Sequence, residues 1–242
     1  MTRSRPPLPA CLLPLCLAAG LLLPAPAAAQ SAACPRFAPA KVSLELELAP
    51  LRRDFNRSMS QLAAMPGRAP GPAGAAQGHI LGLASAKYGE RSQVGLLFQP
   101  MADGTVCAAV QSLVVDFGFN ERIIYVAREL PSDSCIHREV LNHEMMHVAA
   151  DERLLREFTP VARRRLEAAL AQARPVRARS QEQAVSAVRR SLDSAMRQVM
   201  AEFGRERDRR QARLDTVAEY ERVSRSCKGE VNQYLPKGRG RS

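Results

Sequence analysis

The stretch His143-Glu144-Met145-Met146-His147, HEMMH, constrains this chain more than any other. Two histidines four apart fall on one face of a helix, about 6 Å apart along its axis, a spacing that lets two imidazoles share one divalent cation. Val140, Leu141, Met145 and Met146 give such a helix apolar residues to pack, so the motif is expected on a helix set against a core. Pro131-Ser132-Asp133-Ser134 supplies cap residues for its start, and the helix is expected to run to about Phe158.

Glu144, between the two histidines, can reach a water on the cation without ligating it. A zinc ion brings the pKa of such a water near ~7, and a neighbouring carboxylate then takes its proton as it attacks a carbonyl. H-E-x-x-H is the arrangement of metalloproteases, with Glu144 as the catalytic base and His143 and His147 as zinc ligands. A catalytic zinc takes three protein ligands and a water. No H-x-x-G-x-x-H extension follows His147, which excludes the metzincin solution. Asp151 shares the histidine face one turn on; it is the alternative third ligand, although its short side chain more naturally bonds an imidazole from behind. Glu152 points to the other side of the helix. Glu219, in LDTVAEYE, is the expected third ligand, delivered by a later helix as in gluzincins. Asp215, one turn earlier, either orients a ligand or replaces Glu219, and Tyr220 can stabilise an oxyanion. His137 is expected at the surface or in a cap, and His79 stands alone at a strand start.

The rest of the chain supplies strands first and helices after, which argues an α+β fold with an antiparallel sheet. KVSLELELAP over Lys41–Pro50 alternates as a half-buried strand, and Leu51, Phe55, Met59 and Leu62 recur at helical spacing. Pro66–Gly78 is a loop by composition. A meander is expected over Gln93–Gln99, Thr105–Phe117 and Arg122–Ala127, with turns at Tyr88-Gly89-Glu90, Ala102-Asp103-Gly104 and Phe119-Asn120. Thr159-Pro160 reads as the start of a new helix ending before Pro175, and a last helical region runs from Gln181 to about Ser226 with Gly204 as its weak point. The organisation is thus 1–29 as a leader, 30–158 as the strand-rich half with the motif helix, 159–227 as C-terminal helices and 228–242 as a basic tail.

The leader reading rests on Arg3 and Arg5, the apolar run from Leu8 to Leu23 and the small residues Ala27-Ala28-Ala29 before Gln30, a Sec signal peptide with cleavage near Ala29. It predicts a periplasmic or secreted protein with no membrane span after cleavage. Cys34, Cys107, Cys135 and Cys227 remain, an even count that suggests two disulfides of any of three connectivities. The chain of 242 residues carries a net +11, and beyond Pro160 basic residues outnumber acidic ones two to one. No aromatic residues interleave with those arginines, so a solvated helical face is favoured over specific nucleic-acid binding.

The run CIHREVLNHEMMHVAADERLL, with Cys107 before it and LDTVAEYERVSRSC after it, resembles the bacterial family called domain of unknown function 922. The resemblance implies an exported, zincin-like, zinc-dependent protease. The combined expectation is an exported zinc metallopeptidase acting on a protein or peptide substrate. Two alternatives stand beside it: a cell-envelope protein that keeps zinc as a structural clamp without catalysis, and a basic module that binds acidic polymers.

Overall fold

The computed structural model describes residues 33–66 and 79–235. The expected leader, nearly all of the expected loop 66–78 and the end of the basic tail lie outside the described residues. What is described from Cys34 onward belongs to one compact unit.

Strand β4 (Val106–Val126) is the axis of the sheet. Strand β3 (Gly82–Pro100) lies antiparallel along its whole length, joined to it across Met101–Thr105. The opposite edge of β4 is shared by three shorter strands: β5 (Val176–Ala178) antiparallel at Val106–Ala108, then β1 (Lys41–Leu48) and β2 (Leu51–Asp54), both parallel, at Ser112–Phe119 and Arg122–Tyr125.

The expected antiparallel sheet is therefore wrong. Both N-terminal strands run parallel to β4, and the sheet is mixed. Alternation in KVSLELEL decides which side chains face inward, with Leu44 buried, but carries no information on strand direction. Turn chemistry specifies hairpins between sequence neighbours only, and the partner of β1 lies beyond β3. The expected turns at Tyr88-Gly89 and Phe119-Asn120 are irregularities inside continuous strands, where the register slips between Lys87 and Tyr88 and Asn120 goes unpaired with β3.

Leu51 to Asp54 extends along the β4 edge rather than coiling, and helix α1 is one short turn, Met59–Ala63, started by a Ser58/Gln61 capping box. Helix α2 (Cys135–Gln172) continues through Thr159-Pro160, so the boundary expected at 158/159 falls inside one helix. Thr159 does not cap; its hydroxyl donates to the Leu155 carbonyl at 2.7 Å. Helix α3 (Gln181–Ala212) holds Gly204 in a buried position, where a Cβ would lie 2.4 Å from Tyr88 Oη. That glycine admits the sheet's tyrosine and does not break the helix. The break comes at Arg213–Thr216, after which α4 (Val217–Arg225) restarts on the Thr216 cap.

One cluster, with Phe117 and Phe119 of β4 against Leu154, Leu155 and Phe158 of α2 and Phe203 of α3, packs both long helices to the sheet. A second, with Ile124 and Val126 against Ile136, Val140, Val148, Val223 and Val231, holds the motif end of α2 and the C-terminal turns over Ser226–Gln233. Disulfides join Cys34 to Cys107 and Cys135 to Cys227. Among the described residues, no helix is long and apolar enough to cross a membrane.

Candidate metal centre

Helix α2 buries one continuous stripe: Ile136, Val140, His143, Glu144, His147, Val148, Asp151, Leu154, Leu155, Phe158, Ala162 and Leu166. The spacing is that of any helix packed on a core, but its middle carries four polar groups where apolar ones would pack. Burial of such groups is costly unless each finds a partner, and here each does.

The partners form a second ladder. Arg207, Gln211, Asp215 and Glu219 recur every four residues along the end of α3, the break and the start of α4. They run antiparallel to the period-four ladder Asp151, His147, His143 of α2. At one end Arg207 donates through Nε and Nη2 to the Asp151 carboxylate at 2.9–3.1 Å. Gln211 Nε2 donates to Asp151 Oδ1 at 2.5 Å and to the His147 carbonyl at 3.3 Å, which turns its Oε1 to His147 Nδ1. At the other end Glu219 Oε1 lies 3.2 Å from His143 Nδ1, and Glu219 is itself gripped by Arg222 through two bonds of 2.8 Å. Arg222 also reaches Glu139 at 2.9 Å.

Both imidazoles therefore have Nδ1 occupied, and both Nε2 atoms turn to one point. The two Nε2 atoms are 3.2 Å apart, and Asp215 Oδ1 lies 3.3 Å from that of His143 and 3.1 Å from that of His147. A zinc ion holding its ligands at about 2.0–2.1 Å in a tetrahedron spaces them roughly 3.3 Å apart, which is the triangle observed. The donor set of two imidazoles and a carboxylate also fits zinc chemically, and the oxygens behind each Nδ1 are the outer partners such ligands use. Among the described residues, these three side chains form the group of donors able to hold a cation here. The other such cluster among the described residues, Cys135, Cys227 and Glu230, has both cysteine sulfurs tied in a disulfide.

The chain matches no protein-family model, no curated protein and no solved structure.

The expected site residues thus divide. His143 and His147 converge. Glu219, expected as third ligand, sits on the other nitrogen of His143, while Asp215 takes the position at both Nε2 atoms. Asp151, the alternative, is engaged by Arg207 and Gln211 and reaches His147 only through the latter. Glu152 pairs with Arg122 on the sheet. His137 is buried, 3.2 Å from the Leu130 carbonyl and edge-on to Phe55, rather than at the surface. Gln211, Arg207 and Arg222 were missed; the period-four spacing of Arg207 and Gln211 with Asp215 was the signal that could have found those two, while Arg222, three residues beyond Glu219, lies off that ladder.

Glu144 lies against the sheet, 6 % exposed, and accepts a hydrogen bond from the Ala84 backbone N–H of β3. Burial raises its pKa to about 7, with the two imidazoles pulling the other way. Burial disfavours the charged forms of His143 and His147, but the Asp215 and Glu144 carboxylates more than offset it, and both rings hold their protons above the ordinary imidazole range. Burial also works against the Asp215 anion, yet bonds to both rings hold its pKa far below the usual carboxylate range.

Proposed function

We propose that the chain is a zinc-dependent peptidase acting outside the cytoplasm. The observation that carries this reading is the triangle of His143 Nε2, His147 Nε2 and Asp215 Oδ1, sides 3.1–3.3 Å, with the Glu144 carboxylate buried in the same helix face. His143, His147 and Asp215 would hold the ion, and Glu219 and Gln211 would orient the rings. Bound there, zinc would acidify a water molecule and polarise a substrate carbonyl.

Glu144, beside a dication, would be drawn back toward its ionised form, the form that accepts a proton from that water and passes it to the leaving amine. The Ala84 N–H holds one of its oxygens and so limits its orientation. Tyr220, 42 % exposed with its hydroxyl 3.5 Å from Asp215 Oδ1, stands where it can donate to a developing oxyanion. Three protein donors among the described residues favour catalysis over a structural clamp, since structural zinc sites close all four positions with protein. Two disulfides suit an oxidising compartment.

Metal analysis of the disulfide-intact protein, alone and as His143→Ala and Glu144→Gln, tests this. Zinc is expected to be lost in the first variant and kept in the second, with peptide hydrolysis gone in both. Hydrolysis that survives Glu144→Gln would sink the mechanism.

A further inference from the structure

A cavity of about 290 Å3 adjoins the site, with His143 and Glu144 at one end. Its walls come from three separate parts of the chain: Ile80 and Leu81 from the run into β3, Val140 from α2, and Val223, Val231 and Leu235 from the C-terminal end. Val140, Val223 and Val231 are buried members of one packed cluster, so this lining is held in place by the core behind it. Among the described lining residues Glu144 is the one carboxylate and none is a lysine, arginine or aspartate; His79, Tyr220, Ser224 and Asn232 add polar groups.

The volume sits at the low end for ligand pockets, enough for one bulky side chain with some margin and too small for a folded ligand. Val140 precedes Glu144 by one helical turn and lies on the same face, so whatever fills the cavity touches the carboxylate that handles the proton. A charged side chain entering it would lose its water and find no opposite charge apart from the site itself.

We propose that this cavity is the specificity pocket of the peptidase read above, and that the enzyme cuts peptides beside a bulky apolar residue such as leucine, isoleucine, methionine or phenylalanine. The proposal rests on the peptidase reading. The side chain of a residue flanking the scissile bond enters between Val140 and Val231 while its carbonyl faces His143 and Glu144. Hydrophobic pockets discriminate by tenfold or more between side chains that fill them and side chains that do not.

The test uses the zinc-loaded, oxidised protein and sets of synthetic peptides identical except that the residues flanking the cut are varied through all side chains. Cleavage is expected to favour leucine-like residues on one side of the bond, with glycine or aspartate there lowering kcat/KM at least tenfold. Val231→Phe narrows the cavity and is expected to shift the preference to alanine and glycine with zinc content unchanged. Leu235→Ala widens it and is expected to shift the preference toward phenylalanine; it serves also if the buried phenylalanine disturbs folding. Cleavage indifferent to the flanking side chain, or a preference that neither variant moves, overturns the pocket and leaves the peptidase reading standing. Zinc-loaded protein that cuts no peptide in the set overturns both.

Discussion

Gly82 and Glu144 occupy a space with no room for a methyl group: a Cβ on Gly82 would lie 2.6 Å from Glu144 Oε1 and 2.6 Å from Val140 Cγ1. β3 passes the motif helix at this distance because glycine opens it, and the approach lets the Ala84 N–H bond the Glu144 carboxylate. Gly82→Ala must push that carboxylate out of place or move the strand. It is expected to cost about 1–3 kcal/mol of stability by overpacking and to lower kcat/KM at least tenfold, with zinc content unchanged. Thermal unfolding, metal analysis and steady-state kinetics on one preparation check this, and an alanine variant with native kinetics would show that Glu144 does not need its place.

Asp215 and Glu219 differ in which imidazole nitrogen they meet, and that difference predicts unequal losses. Asp215→Asn removes a charged donor at both Nε2 atoms and is expected to weaken zinc binding more than a hundredfold. Glu219→Gln keeps an acceptor at His143 Nδ1 and is expected to cost about tenfold, as outer partners of metal ligands do. Competition with a chromophoric chelator measures both, and a larger loss for Glu219→Gln would return it to the ligand position.

How far the chain could be read from its residues depended on whether the information was local. The HEMMH pair, its helix and the placement of Glu144 between the two rings follow from spacing along one helix, which sequence states directly. The strand over Lys41–Leu48 was legible as a strand, but its parallel pairing to Ser112–Phe119 was not, because pairing direction is set by a partner some seventy residues away. Thr159-Pro160 carried a start signal that lost to the packing of Phe158, Ala162 and Leu166, which lie on one buried stripe and keep the helix whole. The choice between Asp215 and Glu219 lay beyond spacing, since both fall on the same ladder; it turned on the helix break at Arg213–Thr216, which sets how deeply each carboxylate reaches.

The Cys135–Cys227 bridge closes 92 residues and fastens the C-terminal turns to the start of α2, where Glu230 also accepts from the Ile136 N–H at 3.0 Å. Loop closure of that length contributes on the order of 4 kcal/mol in the chain-entropy picture. The double variant Cys135→Ser/Cys227→Ser is expected to lose about 2–5 kcal/mol in urea unfolding of the metal-free protein. Because Val223, Val231 and Leu235 line the cavity from that segment, the expected kinetic effect is a raised KM for apolar peptides, with zinc retained at saturating metal. Unchanged unfolding midpoints would mean that the second cluster holds the segment without the bridge.

Proton release on zinc binding follows from the imidazole shifts. In the metal-free chain His143 and His147 keep protons above the ordinary range, chiefly because Asp215 outweighs the burial of the rings. Zinc takes only neutral imidazole, so binding must expel those protons. Two ordinary imidazoles at pH 7 would give up roughly half a proton between them; here the release is expected to be larger, and apparent affinity is expected to rise with pH until the raised pKa values are passed. The sign for stability is opposite without metal. A raised imidazole pKa stabilises the fold fully below about pH 6.5 and ceases to as pH climbs through the folded value, and the raised Glu144 acts in the same sense up to about 7. Calorimetric titration in two buffers of different ionisation enthalpy reads the proton count, and urea unfolding between pH 5.5 and about 8 reads the stability slope, set by the same linkage. A release of half a proton or less, with metal-free stability flat or rising over that range, would mean that Asp215 does not hold the two rings in the charged form.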